Sequence, residues 1–292
     1  MSWDKFCPSN LIELHIYDLP LRYRPNASRL RQILQLNRDI LEVLELSGCI
    51  SLDSDLTYTV TMSRVHTLKL AFNHIPELFC LFLAIQFPAL SSLEVRNLIP
   101  QSTWFGRPPK DMQLAVTAVM ERLTWALPLH QLKALRLDCI PFSSPSNEIL
   151  TPVSLDFFKK LTSVTSLSLY SPNVITLKCM NRSPDILPAL KALKISTPGA
   201  NYYEHILSFR KKRARMPARK MLEHFELTLP TRAEEFVQRE EVFAIAKRRV
   251  VLKYQLDVHP PDQDVEMVED NSDLGDEETD ESEGSGSDMD ED

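Results

Sequence analysis

Glycine is scarce in this chain. There are six in 292 residues, and outside the last thirty-odd positions only Gly48, Gly106 and Gly199 remain. A phosphate-cradling loop needs several glycines close together so that backbone N–H groups can approach the ligand, so the chain offers no such loop and no cofactor site of that kind. Cysteine is equally sparse. Cys7, Cys49, Cys80, Cys139 and Cys179 are odd in number, far apart and never in a Cys-x-x-Cys pair, which fits a reducing compartment and supplies no metal-ligand spacing. Cys49 reads as a small buried structural residue. The seven histidines have neither metal-ligand spacing nor a nearby Gly-x-Ser-x-Gly nucleophile, so no catalytic constellation is visible and the chain reads as a non-enzyme. Long apolar runs are missing too. The longest, Leu78 to Phe87, has about half the length needed to cross a bilayer and meets Pro88. The opening Met1-Ser-Trp-Asp-Lys-Phe lacks the regions of a secretory signal, leaving a cytoplasmic or nuclear location.

Basic residues are missing from one stretch altogether. Residues 261–292 contain 16 Asp or Glu and no Lys or Arg, so the other 260 residues hold 33 basic against 24 acidic side chains. The body is +9 and the tail −16. A segment of Asp, Glu, Ser and Gly cannot offset its ordering entropy and is expected to be disordered. Ser285 and Ser287 each have Asp three residues later, the pattern an acid-directed kinase prefers, so the tail is either a phosphorylation site or a plain solubilising segment.

What the chain does contain is a phrase written eight times. It runs Leu11-x-x-Leu14-x-Ile16, Leu41-x-x-Leu44-x-Leu46, Val65-x-x-Leu68-x-Leu70, Leu90-x-x-Leu93-x-Val95, Leu132-x-x-Leu135-x-Leu137, Val164-x-x-Leu167-x-Leu169, Leu190-x-x-Leu193-x-Ile195 and Leu222-x-x-Phe225-x-Leu227. A strand with inward residues at every second position, recurring every few tens of residues, is the unit of a leucine-rich-repeat solenoid, where each unit buries its apolar edge against the next. Between the phrases lie helical spacings. Leu30, Ile33 and Leu34 follow Asn26, Leu78, Leu81, Phe82 and Ile85 follow Pro76, and Val116, Val119, Met120 and Leu123 follow a capping Asp111. Ser154 is expected to precede a helix with Leu155, Phe158 and Leu161, and Thr231 with Glu234 forms a capping box. Intervals between first anchors range from 24 to 42 residues, so the units are long and irregular. The longest carries Trp104 and Phe105 in a turn-rich insertion, where they either form a contact tip or fold back over the core. Val250 to Val258 is a closing strand. The expected fold is thus α/β: a leucine-rich-repeat solenoid of irregular strand-helix repeats and a curved parallel sheet over residues 1–260, with a disordered acidic tail over 261–292.

The residues after the second and third anchors of each phrase point away from the core by the two-residue period of a strand. They line the concave face, and Tyr17, Glu45, Lys69, Glu94, Arg96, Arg136, Asp138, Tyr170 and Lys194 are its candidate partner-binding side chains. A row that is polar, mixed in sign and dotted with tyrosine suits a protein ligand better than a lipid or a nucleic-acid backbone. The run Arg210, Lys211, Lys212, Arg213, Arg215 reads as a nuclear-import signal, as a nucleic-acid contact or as the exposed end of a helix begun near Tyr203, and nucleic acid is the least expected of the three.

Leu-Glu-Val-Leu-Glu-Leu-Ser-Gly-Cys at 41–49, Val-His-Thr-Leu-Lys-Leu-Ala-Phe-Asn at 65–73 and Leu-Lys-Ala-Leu-Arg-Leu-Asp at 132–138 resemble the repeat region of fungal F-box/leucine-rich-repeat proteins, over about residues 10–258. The resemblance implies repeats that recruit a substrate and an F-box that docks on a ubiquitin-ligase adaptor. The ten residues before the first repeat hold no F-box, so the adaptor is expected as a partner only if an F-box is supplied upstream. Repeats followed by an acidic tail also look like the acidic leucine-rich nuclear phosphoproteins, which implies histones or other basic proteins as partners, or a chaperone-like role.

Overall fold

The computed structural model describes residues 3, 8–49, 59–98, 120–140, 152–182, 185–196, 203–215, 217, 222–230 and 250–255. They belong to one compact unit, Met1–Asp257. The tail with Ser285 and Ser287, the loop with Trp104 and Phe105, Cys7, Asp111 and the Thr231–Glu234 pair lie outside the described residues.

Every phrase forms a strand: β1 (Glu13–Tyr17), β2 (Val43–Ser47), β4 (Thr67–Phe72), β6 (Ser92–Asn97), β7 (Ala134–Asp138), β8 (Ser166–Tyr170), β9 (Ala192–Ser196) and β10 (His224–Pro230), with β11 (Val250–Gln255) following. They make one nine-stranded sheet in the order β1-β2-β4-β6-β7-β8-β9-β10-β11, all pairs parallel. A separate two-stranded parallel sheet joins β3 (Val60–Thr61) to β5 (Ile85–Gln86). The register stacks like on like. Leu14, Leu44, Leu68, Leu93, Leu135, Leu167, Leu193 and Phe225 stand side by side, as do the third anchors two residues later, and both rows are buried. Full burial of one leucine contributes about 1.5–3 kcal/mol, so this stack is the largest reason for the fold.

A second regularity lies in the backbone. The carbonyl of Ile12 accepts from the N–H groups of both Glu42 and Val43, and the same two-donor arrangement recurs at Glu42, His66, Ser91, Lys133, Thr165 and Lys191, each serving the next strand's first residues. The residue leaving the strand turns left-handed at Asp18 (φ 43°), Gly48 (φ 55°), Cys139 (φ 55°) and Ser171 (φ 45°). At Gly48 the turn is also crowded, because a Cβ there would stand 3.2 Å from Oδ1 of Asp18.

Helices return the chain in most of the described connections, with none described between β2 and β4, and lie on the side of the sheet where the anchors are buried. In α1 (Ala27–Asn37) the Asn26 side chain accepts from the Arg29 N–H at 2.8 Å, and Leu30, Ile33 and Leu34 are buried. The closing Asn37 is buried as well. Its amide donates to the carbonyls of Pro8 and Ile33 while its oxygen accepts from the Leu11 N–H, which ties the N-terminal segment to the first repeat. α2 (Ile75–Ala84) has Pro76 in its first turn, and the fully buried Glu77 accepts from the Asn73 N–H and pairs with Arg24 at 3.2 Å. Residues 120–126 belong to α3. α4 (Pro152–Lys160) corrects the expectation at Ser154: the helix begins two residues earlier, on a proline suited to a first turn, and Ser154 is buried inside it. α5 (Val174–Arg182) and α6 (Tyr203–Ala214) complete the set. No helix among the described residues is long and apolar enough to cross a membrane.

Candidate binding face

The face of the sheet that the helices leave open carries two rows of side chains, fixed by the same register as the core. The first reads His15, Glu45, Lys69, Glu94, Arg136, Ser168, Lys194, Glu226 across the strands. The second reads Tyr17, Ser47, Ala71, Arg96, Asp138, Tyr170, Ser196, Thr228. All nine expected partner-binding residues lie on this face, and the strand alternation that nominated them is the one observed.

Their mutual pairing was not visible beforehand. Glu45 lies 3.0 Å from Nδ1 of His15 and 3.1 Å from Nζ of Lys69. Partial burial pushes the Glu45 carboxyl up, but the bonds from His15 and Lys69, with the Tyr17 hydroxyl close by on Nδ1 of His15, outweigh this and hold it below the usual carboxylate value. The other ring nitrogen of His15 faces Glu13 at 3.1 Å. That bond raises the His15 pKa, burial lowers it, and Glu45 raises it again, so the net shift is upward.

A second cluster is centred on Asp138. Arg136 reaches it at 2.8 Å and Arg96 at 3.2 Å, and both guanidinium groups also approach Glu94, at 3.6 and 3.1 Å. The bond to Asp138 raises the Arg136 pKa despite some burial. Asp138, expected as a contact residue, is only 3% exposed beneath the two arginines. Its carboxylate holds the two guanidinium groups in place on the face. Lys194 pairs with Glu226 at 3.1 Å, and Glu226 is likewise buried. Between these clusters the first row has uncharged Ser168, with Tyr170 36% exposed beside it, while Tyr17 stands 51% exposed near the β1 edge. His15 and Glu226 belong to the face no less than the nine nominated residues, and their place in the row was the signal that marked them.

The basic run divides. Lys211, Lys212 and Arg215 are exposed, and Arg210 lies 5.7 Å from the centre of the Phe225 ring. Arg213 does not belong to an exposed signal. It is 2% exposed and donates to the carbonyls of Ile186 and Leu187, both at 2.7 Å, and burial pushes its pKa below the usual arginine value. Cys49 is buried, donates its thiol to the Ile16 carbonyl at 3.5 Å, and has its pKa pushed up to about 12 by burial. Among the described residues no three His, Cys, Asp or Glu side chains come together as metal ligands would. No protein-family model, no curated protein and no solved structure matches this chain significantly.

Proposed function

We propose that this chain is a non-catalytic protein-recognition scaffold, an irregular leucine-rich-repeat solenoid whose open sheet face is concave and holds a protein partner. The observation that carries this reading is the sign alternation along the register from His15 through Glu45, Lys69 and Glu94 to Arg136. A partner that matches such a row must itself present both signs at strand spacing, as a folded protein or a structured peptide does and a polyanion or lipid surface does not. Tyr17 and Tyr170 supply amphipathic contact area beside the charges. In this reading the bound protein is a substrate, and ubiquitin-ligase recruitment follows if an F-box accompanies the repeats.

The test is photo-crosslinking from an analogue placed at Tyr17 or Tyr170, with mass-spectrometric identification of the captured protein. The paired exchange Glu45→Lys with Lys69→Glu preserves an internal ion pair while inverting the pattern, and capture is expected to fall about tenfold. Equal capture by that variant, or capture only from exposed Leu36 on the helical side, overturns the reading.

A second reading is a nuclear acidic histone-binding or chaperone-like protein, favoured by the 16 acidic residues without a basic one in 261–292. Deleting 262–292 is then expected to abolish binding to core histones, and unchanged binding removes this alternative.

A further inference from the structure

Charge on the helical side is distributed differently from charge on the open face. α1 and α2 have no basic residue in their last turns, whereas α4 ends in Lys159 and Lys160, α5 in Arg182, and α6 in Lys211, Lys212 and Arg213, with Arg215 just beyond. Because neighbouring strands are parallel, each helix between them runs back, and the helix ends gather on the rim where the strands begin. α4 packs on α5 and α5 on α6, so these ends are neighbours. Exposed Lys133 and Lys191, immediately before β7 and β9, extend the rim. Its described acidic residues along α3 to α6 are Asp156, which pairs with Lys160 at 3.2 Å, Glu223, which pairs with Lys191 at 2.9 Å, Asp185, and exposed Glu121 one helix turn before Trp125. A helix macrodipole welcomes one cation at its C terminus, but it does not call for Lys211, Lys212 and Arg215 on a single helix.

At one end of this rim stands an aromatic residue of unusual exposure. Trp125, near the C-terminal end of α3, is 80% exposed, and Nζ of Lys160 lies 5.2 Å from its ring centre. An exposed indole face flanked by a cation is an arrangement on which a nucleobase can stack while a phosphate meets the charge. We infer that the rim binds single-stranded nucleic acid, its phosphates following Lys159, Arg182, Lys212 and Arg215 from helix end to helix end and a base stacking on Trp125. Exposed cations beside a stacking platform give sequence-tolerant binding of this kind. The site lies along the edge where the strands begin, apart from the two rows of the open face, and does not depend on them.

The experiment is fluorescence anisotropy of the full chain with a labelled oligouridylate of about 20 nucleotides, with a polyglutamate peptide as competitor. With four phosphate contacts on a single strand, affinity is expected to fall roughly 50-fold between about 50 and about 200 mM salt. The triple variant Lys159→Glu, Arg182→Glu, Lys212→Glu should weaken binding more than about tenfold and flatten the salt dependence. Trp125→Ala should weaken it about fivefold or more. All four side chains are on the surface, and an unchanged urea midpoint certifies the fold of each variant. Absence of binding at the lower salt, or binding indifferent to the charge reversals, overturns the inference. Polyglutamate competing as well as the oligonucleotide, together with indifference to Trp125→Ala, also overturns it and assigns the rim to acidic proteins.

Discussion

On the open face Glu45 meets His15 at 3.0 Å and Lys69 at 3.1 Å, and Asp138 is sheathed by two arginines, whereas on the rim Lys159, Arg182, Lys212 and Arg215 succeed one another with little acidic charge between. The difference follows from spacing. Strands lie about 4.8 Å apart, and the parallel register sets each row residue directly beside its counterpart in the next repeat, so two like charges in sequence would repel strongly there. Helix axes are about 8–10 Å apart, and Lys159, Arg182, Lys212 and Arg215 at their ends are exposed, so salt screens charges separated by about that distance. Alternation of sign is therefore imposed on the face and not on the rim. On the readings proposed above, such a face would serve specificity and such a rim attraction.

The largest test of this contrast concerns the rim cation that is taken inside. Arg213→Ala removes a buried guanidinium and leaves the carbonyls of Ile186 and Leu187 without it, at a cost of about 3 kcal/mol by urea denaturation. Lys212→Ala, one residue and about 100° of helix away, exposed and with its ammonium on the Asn181 carbonyl at 2.6 Å, should stay within about 0.5 kcal/mol. If both variants cost the same, the division of the run into a packed residue and exposed ones is wrong.

Next in size is Asp138→Ala. Losing a buried carboxylate between two cations is expected to cost about 1–2 kcal/mol, less than for a fully buried pair, because Arg96 and Arg136 are each 45% exposed and regain water. A direct comparison of face and rim comes from Lys69→Glu, which sets three acidic residues in register with Glu45 and Glu94 and should lower stability by about 1 kcal/mol. Lys212→Glu on the rim should change it by less than about 0.5 kcal/mol. Equal losses would show that strand register does not govern the open face.

How far these features could be read in advance depended on whether a residue's environment is set by its own segment. The strands were legible because two inward anchors per phrase meet their counterparts in the same register at each step, as Leu44 meets Leu14 and Leu68. The row residues were legible for the same reason. The burial of Asp138 was not, since it depends on Arg96 one strand away. Helix starts were less secure: Ser154 looked like a cap, yet Pro152 opened the helix. α5 went unread although Asn173 caps it, accepting from the Thr176 N–H and hydroxyl, both at 2.9 Å, because its few residues follow directly on a strand. β3 and β5 are two residues each, too short to carry a period. Arg213 read as one of a basic run because charge is conspicuous and helical phase is not. Ile206, Phe209 and Arg213 share the buried stripe of α6, and the arginine completes it by bonding to carbonyls that a leucine would leave unsatisfied.

The smallest effect tests the face at its β1 end, through pH. His15 sits with a carboxylate at each ring nitrogen, so the ring that donates from both nitrogens is the protonated one, and its folded pKa lies above the ordinary 6.5. A raised histidine pKa contributes stability that is complete below 6.5 and disappears as the pH rises through the folded value. Glu45 works in the other direction. Its lowered pKa contributes above the ordinary 4.5 and is lost as the pH falls through the folded value. Both contributions are complete together only between 4.5 and 6.5, and one or the other fades as the pH leaves that window. The His15 side chain is 33% exposed, so solvent screening limits its share to about 0.5 kcal/mol. Urea midpoints of the parent chain and His15→Asn should therefore differ most near about pH 5.5 and converge by about pH 8.5. A gap that is constant with pH would mean that His15 contributes packing alone, and the alternation of charge would then begin at Glu45 and not at the edge of the sheet.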